Sequence, residues 1–218
     1  MTSDEPIALN RVTNELIARI WELRPLAMVL PRGLLNLKRH CLEHRGGEGA
    51  FVECGVARGG CLTLMAYIAG PEQLVWGFDS FEELPALTAE DQDSGREFVG
   101  FQCSGPSGEH AVPATFATLN VPMDNVRVVK GWFEETLPSH LQEIGEISVL
   151  RLDSDWYAPT KFCLETLYDS VVPGGAVIID DYFMFAGCRK AVDEFRAKRD
   201  IEAKLHVVDP RTEAYWYK

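Results

Sequence analysis

Apolar and polar positions alternate along this chain in blocks of two kinds. Short apolar runs, AFVEC (50–54), LVWGF (74–78), VRVVK (126–130), ISVLRL (147–152) and AVII (176–179), read as strands buried on both faces of a parallel sheet. Between them lie helical stretches. CLTLMAYIA is closed by Gly70-Pro71, a fragment from Trp132-Phe133 stops before Pro138, a helix ends at Pro173-Gly174-Gly175, and Cys188 to Lys198 carries Val192 and Phe195 on one face. Two amphipathic helices come first. Leu9, Val12, Leu16, Ile20 and Leu23 step by three and four up to Pro25, and Leu34, Leu37 and Cys41 repeat the pattern after Pro31, with Lys38, Arg39 and Arg45 as a solvated face. These helices either cap the sheet or form a dimer contact. Leu205 to Val208 and Ala214 to Tyr217, with Asp209-Pro210 in the turn, form a closing antiparallel pair. The pattern predicts an α/β fold, doubly wound, in a single domain over 1–218 with N-terminal helices in 1–46. From 80 to 125 it weakens into acidic residues and a CSGPSGEH loop, which reads as a substrate-covering insertion or a disordered stretch.

The strand ends carry the chemistry. One strand runs into Asp153 and the next into Asp180 and Asp181. Neighbouring strands lie roughly 4.8 Å apart, so these carboxylates would converge and repel. A hard, oxygen-seeking divalent cation resolves that repulsion, and Mg²⁺ suits a site with few protein ligands. Asp at strand ends also serves as an ordinary helix cap or turn residue. The first strand leads through Glu53 into Gly55-Val-Ala-Arg58-Gly59-Gly60, where glycines allow close backbone approach and the helix start attracts a negative group, or simply make a tight turn. Ala57 breaks the dinucleotide fingerprint, so NAD is disfavoured. Asp79, ending the second strand, suits a pair of ribose hydroxyls, and Glu53 suits an ammonium group. An amino acid joined to a nucleoside fits these groups better than a pyrophosphate. Trp132 would pack along an adenine ring or belong to the core.

Composition narrows the partners. The 218 residues are 46% hydrophobic and 25% charged, with a net charge of -12 and a pI near 4.9. That balance argues against nucleic acid or an anionic membrane as partner. Six scattered cysteines without a CxxC pair read as reduced thiols, and the N-terminus lacks a signal-peptide pattern, so a soluble cytoplasmic protein is expected.

The segments VECGVARGG, GFDSFEELP, VVKGWFEETLP, LRLDSDWYAPT, PGGAVIIDDY, CRKAVDEF and YWYK resemble, in order, the macrocin O-methyltransferase family (TylF type) of class I S-adenosylmethionine-dependent methyltransferases. The chain departs from the family pattern at Ala57 and at Ser154. The resemblance implies a seven-stranded sheet of order 3-2-1-4-5-7-6 and Mg²⁺-dependent methylation of a hydroxyl on a sugar of a natural product. It implies that Glu53, Gly55, Arg58, Gly59 and Gly60 line the methionine end of S-adenosylmethionine, Asp79 the ribose, and Ser80, Phe81 and Trp132 the adenosine region. Asp153, Asp180 and Asp181 fall on its metal positions. Asp153 is the candidate base for the acceptor hydroxyl, with Asp155 as fallback. Of the histidines at 40, 44, 110, 140 and 206, His110 in the covering stretch is the one singled out. A catechol or other phenol is the alternative acceptor, and a non-catalytic S-adenosylmethionine-binding module the alternative class. The expected partners are a small-molecule glycoside and a second copy of the chain.

Overall fold

The computed structural model describes residues 5–23, 26–82, 84, 87–91 and 110–218. Helices α1 (Glu5–Glu22) and α2 (Pro31–Glu43) precede an alternation of β1 (Ala50–Cys54), α3 (Gly60–Ala69), β2 (Val75–Asp79), α4 (Ala111–Leu119), β3 (Val126–Lys130), α5 (Phe133–Ile144) and β4 (Ile147–Leu152). Then follow α6 (Tyr157–Leu167), β5 (Val171–Ile179), α7 (Ala186–Lys198), β6 (His206–Val207) and β7 (Ala214–Tyr217). The strands form one seven-stranded sheet in the order β3-β2-β1-β4-β5-β7-β6. β1 to β5 pair in parallel, and β7 runs antiparallel to both β5 and β6. The doubly wound α/β sheet and its strand order are those the resemblance implies.

Every side chain of β1 and β4 is buried, because helices cover both faces of the sheet. Phe51, Val149 and Ile178 point to one layer with α1 to α4, whereas Val52, Leu150 and Val177 point to the other with α5, α6 and α7. This explains why the strands read as unbroken apolar runs. The N-terminal helices lie in the first layer, through Leu16, Ile17 and Ile20 of α1 and Leu34, Leu37 and Cys41 of α2. The chain order reverses at β1, which has β2 on one side and β4 on the other, so the carboxyl ends of β1, β2, β4 and β5 border the crevice where open α/β sheets bind ligands.

Several elements differ from the pattern reading. Leu23 is 42% exposed, and Thr13 and Ile17 are buried on α1. Lys38 is buried, not solvated: its ammonium donates to Asn14 Oδ1 at 2.6 Å and Asn10 O at 3.2 Å, and also bonds Asn10 Oδ1, fastening α2 to α1. Pro138 lies inside α5 and does not end it. Pro173, Gly174 and Gly175 belong to β5, where Gly174 N donates to Lys218 O at 2.7 Å. Of the stretch from 80 to 125, residues 92–109 lie outside the described part, and 111–119 form α4, whose Val112, Phe116 and Leu119 are buried in the helical layer. Cys41, Cys54, Cys61, Cys163 and Cys188 are buried free thiols; Cys103 lies outside the described residues. No helix among the described residues is long and apolar enough to cross a membrane.

Candidate active site

Leu152 and Ile179 are register partners, so the chain leaves β4 and β5 side by side at Asp153 and Asp180. One carboxylate oxygen from each of Asp153, Asp180 and Asp181 lies within 4.8 Å of the others. The sequence reading brought these three together, and the structure does the same. It also adds a residue that reading missed. Arg151 is fully buried, and its Nη1 donates to Glu53 Oε1 at 2.8 Å and Asp153 Oδ2 at 2.9 Å, while Nη2 approaches Asp180 Oδ1 at 2.9 Å. Glu53 and Arg151 face each other across β1 and β4 in register. Glu213, immediately before β7, is a second missed residue. It is 1% exposed and accepts from Asn36 Nδ2 of α2 at 2.8 Å, while its Oε2 lies beside Gly33, buried without a hydrogen-bond partner among the described residues.

One guanidinium does not neutralise this many buried carboxylates. Burial, with Asp153 and Asp180 as neighbours, pushes Asp155 up to about 8, and burial with Asp180 beside it does the same to Glu213. Burial pushes Glu53 up to about 8 despite the Arg151 contact. Asp180 rises to about 6 through burial and Asp153, against the pull of Arg151, and Asp181 is pushed well above the usual carboxylate range, through burial and then Asp155 and Asp153. Asp181 Oδ2 is buried without a hydrogen-bond partner among the described residues. An all-oxygen cluster with excess negative charge and an unused buried oxygen fits a hard divalent cation.

The β1 side of the crevice is built around backbone approach. A Cβ on Gly55, at φ 89°, would collide with the carbonyl oxygen of Asp153, so the glycine lets the loops after β1 and β4 meet. The glycine N–H groups are spent within the protein: Gly59 N donates to Val56 O at 2.8 Å and Gly60 N to Leu26 O at 3.1 Å, leaving neither for a ligand. Asp79 accepts from Val56 N at 2.8 Å, Ala57 N at 2.7 Å and Phe81 N at 2.7 Å. A carboxylate has about four lone-pair sites, so Asp79 keeps acceptor capacity on a half-buried side chain but less than the bare residue suggests. Ala57, Phe81 and Asp155 have φ of 48°, 54° and 58°, and each ends or follows a strand at this crevice. Left-handed backbone on such residues costs on the order of 1 kcal/mol or more each, and such strain collects at binding sites.

Arg58 is 8% exposed, and its Nε and Nη2 are buried without partners among the described residues; Glu53 Oε2 is in the same condition. An amino-acid group meets both needs, its carboxylate at a guanidinium and its ammonium at a carboxylate. Trp132, half-buried at the cap of α5 after β3, is not a core residue, and Ser80 and Phe81 are half-buried after β2. His40 is buried edge-on to Tyr215, His206 stacks on Tyr215, His140 Nδ1 sits 2.8 Å from Thr136 O, and His110 is exposed at the start of α4. Ser154 is buried, with its Oγ 2.9 Å from Thr160 Oγ1, so the loop between Asp153 and Asp155 accommodates a side chain there.

The profile of the macrocin O-methyltransferase (TylF) family matches residues 21–218. The chain is 35% identical over 216 residues to the demethyldecarbamoylnovobiocin O-methyltransferase of Streptomyces niveus, covering 95% of this chain and 80% of that one. It is also 35% identical over 213 residues to the 8-demethyl-8-(2,3-dimethoxy-alpha-L-rhamnosyl)-tetracenomycin-C 4'-O-methyltransferase of Streptomyces olivaceus, covering 92% and 78%. The solved structure of the O-methyltransferase NovP superposes with a TM-score of 0.82 at 31% identity over 99% of each chain. The chain belongs to the macrocin O-methyltransferase family and is an S-adenosylmethionine-dependent O-methyltransferase.

Proposed function

We propose that the protein transfers a methyl group from S-adenosylmethionine to a hydroxyl of a sugar in a natural product or sugar conjugate, with Mg²⁺ held by Asp153, Asp180 and Asp181. The observation that carries this reading is the meeting of those carboxylates at the carboxyl edge of β4 and β5, with a buried Asp181 oxygen left over. A relative at 35% identity is named for methylation at the 4' position of a molecule bearing a rhamnosyl group, which supports a sugar hydroxyl as acceptor.

In this reading Arg58 and Glu53 hold the two charges of the methionine end, Asp79 accepts from the ribose, and Phe81, Ser80 and Trp132 border the adenosine. A sugar hydroxyl is a weak nucleophile at neutral pH, and a bound divalent cation supplies Lewis-acid polarisation that lowers its pKa. Asp153 takes the hydroxyl proton. Its Oδ2 accepts from Arg151 Nη1 at 2.9 Å, which gives the carboxylate one set orientation. Asp181 is buried and Asp180 largely so, which strengthens each electrostatic contact there.

Asp153→Asn tests the assignment. Methyl transfer to an accepted glycoside is expected to fall by roughly 100-fold or more, the range for loss of a general base, while calorimetric affinity for S-adenosylhomocysteine stays within about threefold. Full activity in Asp153→Asn would remove both roles from this residue. A panel containing glycosides and catechols separates the sugar acceptor from the phenolic one, and turnover of catechols alone would replace the first by the second.

A further inference from the structure

Arg151 is the buried charge of the site to which the methyl-transfer reading gives no part in holding the donor. It is a register partner of Glu53, so the two side chains leave neighbouring strands, β4 and β1, on the same face of the sheet. That face carries Phe51 and Val149 and is covered by α1 to α4, and both charged residues are 1% exposed. Arg151 Nη1 donates to Glu53 Oε1 at 2.8 Å and to Asp153 Oδ2 at 2.9 Å, so one nitrogen joins the carboxylate of β1 to the first residue after β4. The backbone around this contact is fixed as well. Asp153 N donates to Cys54 O at 2.8 Å, and Asp153 O fills the space that a Cβ on Gly55 would need.

The contact makes the two oxygens of Glu53 unlike. Oε1 is spent on Arg151, whereas Oε2 is buried without a hydrogen-bond partner among the described residues. A glutamate side chain has considerable rotamer freedom, so it keeps one orientation only where something holds it, and a buried carboxylate stays charged only where it is paired. Arg151 does both. It fixes one oxygen and leaves the other to a second cationic group. The shape of the guanidinium matters here: its planar fork reaches Glu53, Asp153 and Asp180 together, which a compact ammonium does not.

From this geometry we infer that Arg151 is a positioning residue for the methyl donor: by holding Oε1 it keeps Glu53 charged and turned so that Oε2 receives the ammonium of the amino-acid end of S-adenosylmethionine. The inference rests on the reading above in which Glu53 takes that ammonium. Arg151 acts through Glu53 and needs no contact with the cofactor. Because the same nitrogen holds Asp153, the anchor of the donor and a candidate cation ligand are kept in one register.

The test is calorimetric titration of the full chain with two ligands, S-adenosylhomocysteine and methylthioadenosine, which shares the nucleoside and the thioether sulfur but lacks the amino-acid end. Chelator is present, so that no cation competes with Arg151 for the aspartates. Wild type is expected to bind S-adenosylhomocysteine at least about tenfold more tightly than methylthioadenosine, the scale of a charged hydrogen bond. Arg151→Gln is expected to lose most of that preference while its methylthioadenosine affinity stays within about threefold of wild type, and Arg151→Lys to keep part of it. Glu53→Gln is expected to show the same loss, and the double variant little more than either single one, since the arginine acts through the glutamate. If Arg151→Gln does not fold, Arg151→Lys decides, with a smaller loss that is again confined to S-adenosylhomocysteine. Equal losses for both ligands would mark Arg151 as purely structural and overturn the inference, as would additive losses in the double variant. A preference that Glu53→Gln leaves intact defeats the reading of Glu53 and this inference with it. A preference that Glu53→Gln removes but both arginine variants retain overturns the role of Arg151 alone.

Discussion

At the scale of single residues, Arg151 holds the site together. It contacts Glu53, Asp153 and Asp180 at once from a fully buried position, so removing it leaves carboxylates without their counter-charge. Breaking a buried ion pair from one side costs about 3–5 kcal/mol. Urea unfolding of Arg151→Ala is expected to show a loss in that range, and a loss under about 1 kcal/mol would mean the contacts are incidental. The aspartates were legible because each ends an apolar run, and the residue that organises them was not, because ISVLRL reads as an apolar strand with one tolerated charge. The signal was present all the same. β1 and β4 each carry a single charge of opposite sign, Glu53 and Arg151, and a charge inside a strand buried on both faces needs a partner. Glu213 and Asn36 had no comparable signal, since they meet only when α2 and β7 come together across 177 positions of sequence.

At the scale of elements, the helices were legible where periodicity was strong and misread where one residue type was taken at face value. Lys38 was assigned to the solvated face, yet 34, 37, 38 and 41 are the positions of a single helical stripe, so the period placed it inward despite its charge. Helix α4 escaped notice because Ala, Pro and Thr dominate it. Val112, Phe116 and Leu119 nonetheless keep the spacing, and Pro113 sits in the first turn, where its missing N–H costs nothing. A long-range contact couples two further elements. Asp91 is 1% exposed, accepts from Thr88 Oγ1 at 2.6 Å and from Tyr157 N at 2.8 Å, and its carboxylate occupies the space beside Gly187 in the first turn of α7. It thus ties the chain after β2 to the starts of α6 and α7, the helices that follow the candidate metal ligands. Gly187→Ala is expected to destabilise by about 1–3 kcal/mol, as overpacking does. In an Asp91→Ala background the same change is expected to cost much less, a non-additivity that a double-mutant cycle reads directly. Additive losses would show that the two positions do not share this contact.

At the scale of the whole molecule, the doubly wound sheet was legible from the alternation of buried strands and helices, and its strand order from the resemblance. The charge balance of the crevice was not, because it depends on which ends of strands share an edge. That balance makes stability depend on pH and cation together. Glu53, Asp155 and Glu213 are each pushed up to about 8 by burial, so between their ordinary range and that value the folded protein binds protons that the unfolded chain has released. Their contribution is present below the unfolded carboxylate range and is lost as pH rises toward 8. A divalent cation relieves the same crowding, and its binding competes with those protons. Mg²⁺ is therefore expected to raise the thermal midpoint more at pH 8 than at pH 6; a shift of equal size at both would contradict this.

The central claim is a methyl transfer that depends on the cation held by Asp153, Asp180 and Asp181. Its most direct test is transfer of labelled methyl from S-adenosylmethionine to a panel of glycosides and phosphorylated sugars, run with Mg²⁺, after chelation, and after Mg²⁺ is restored. The account expects transfer to at least one sugar, near-complete loss on chelation and recovery when Mg²⁺ returns. Undiminished transfer in excess chelator would contradict it and leave the aspartate cluster with Arg151 as a purely electrostatic feature of the crevice.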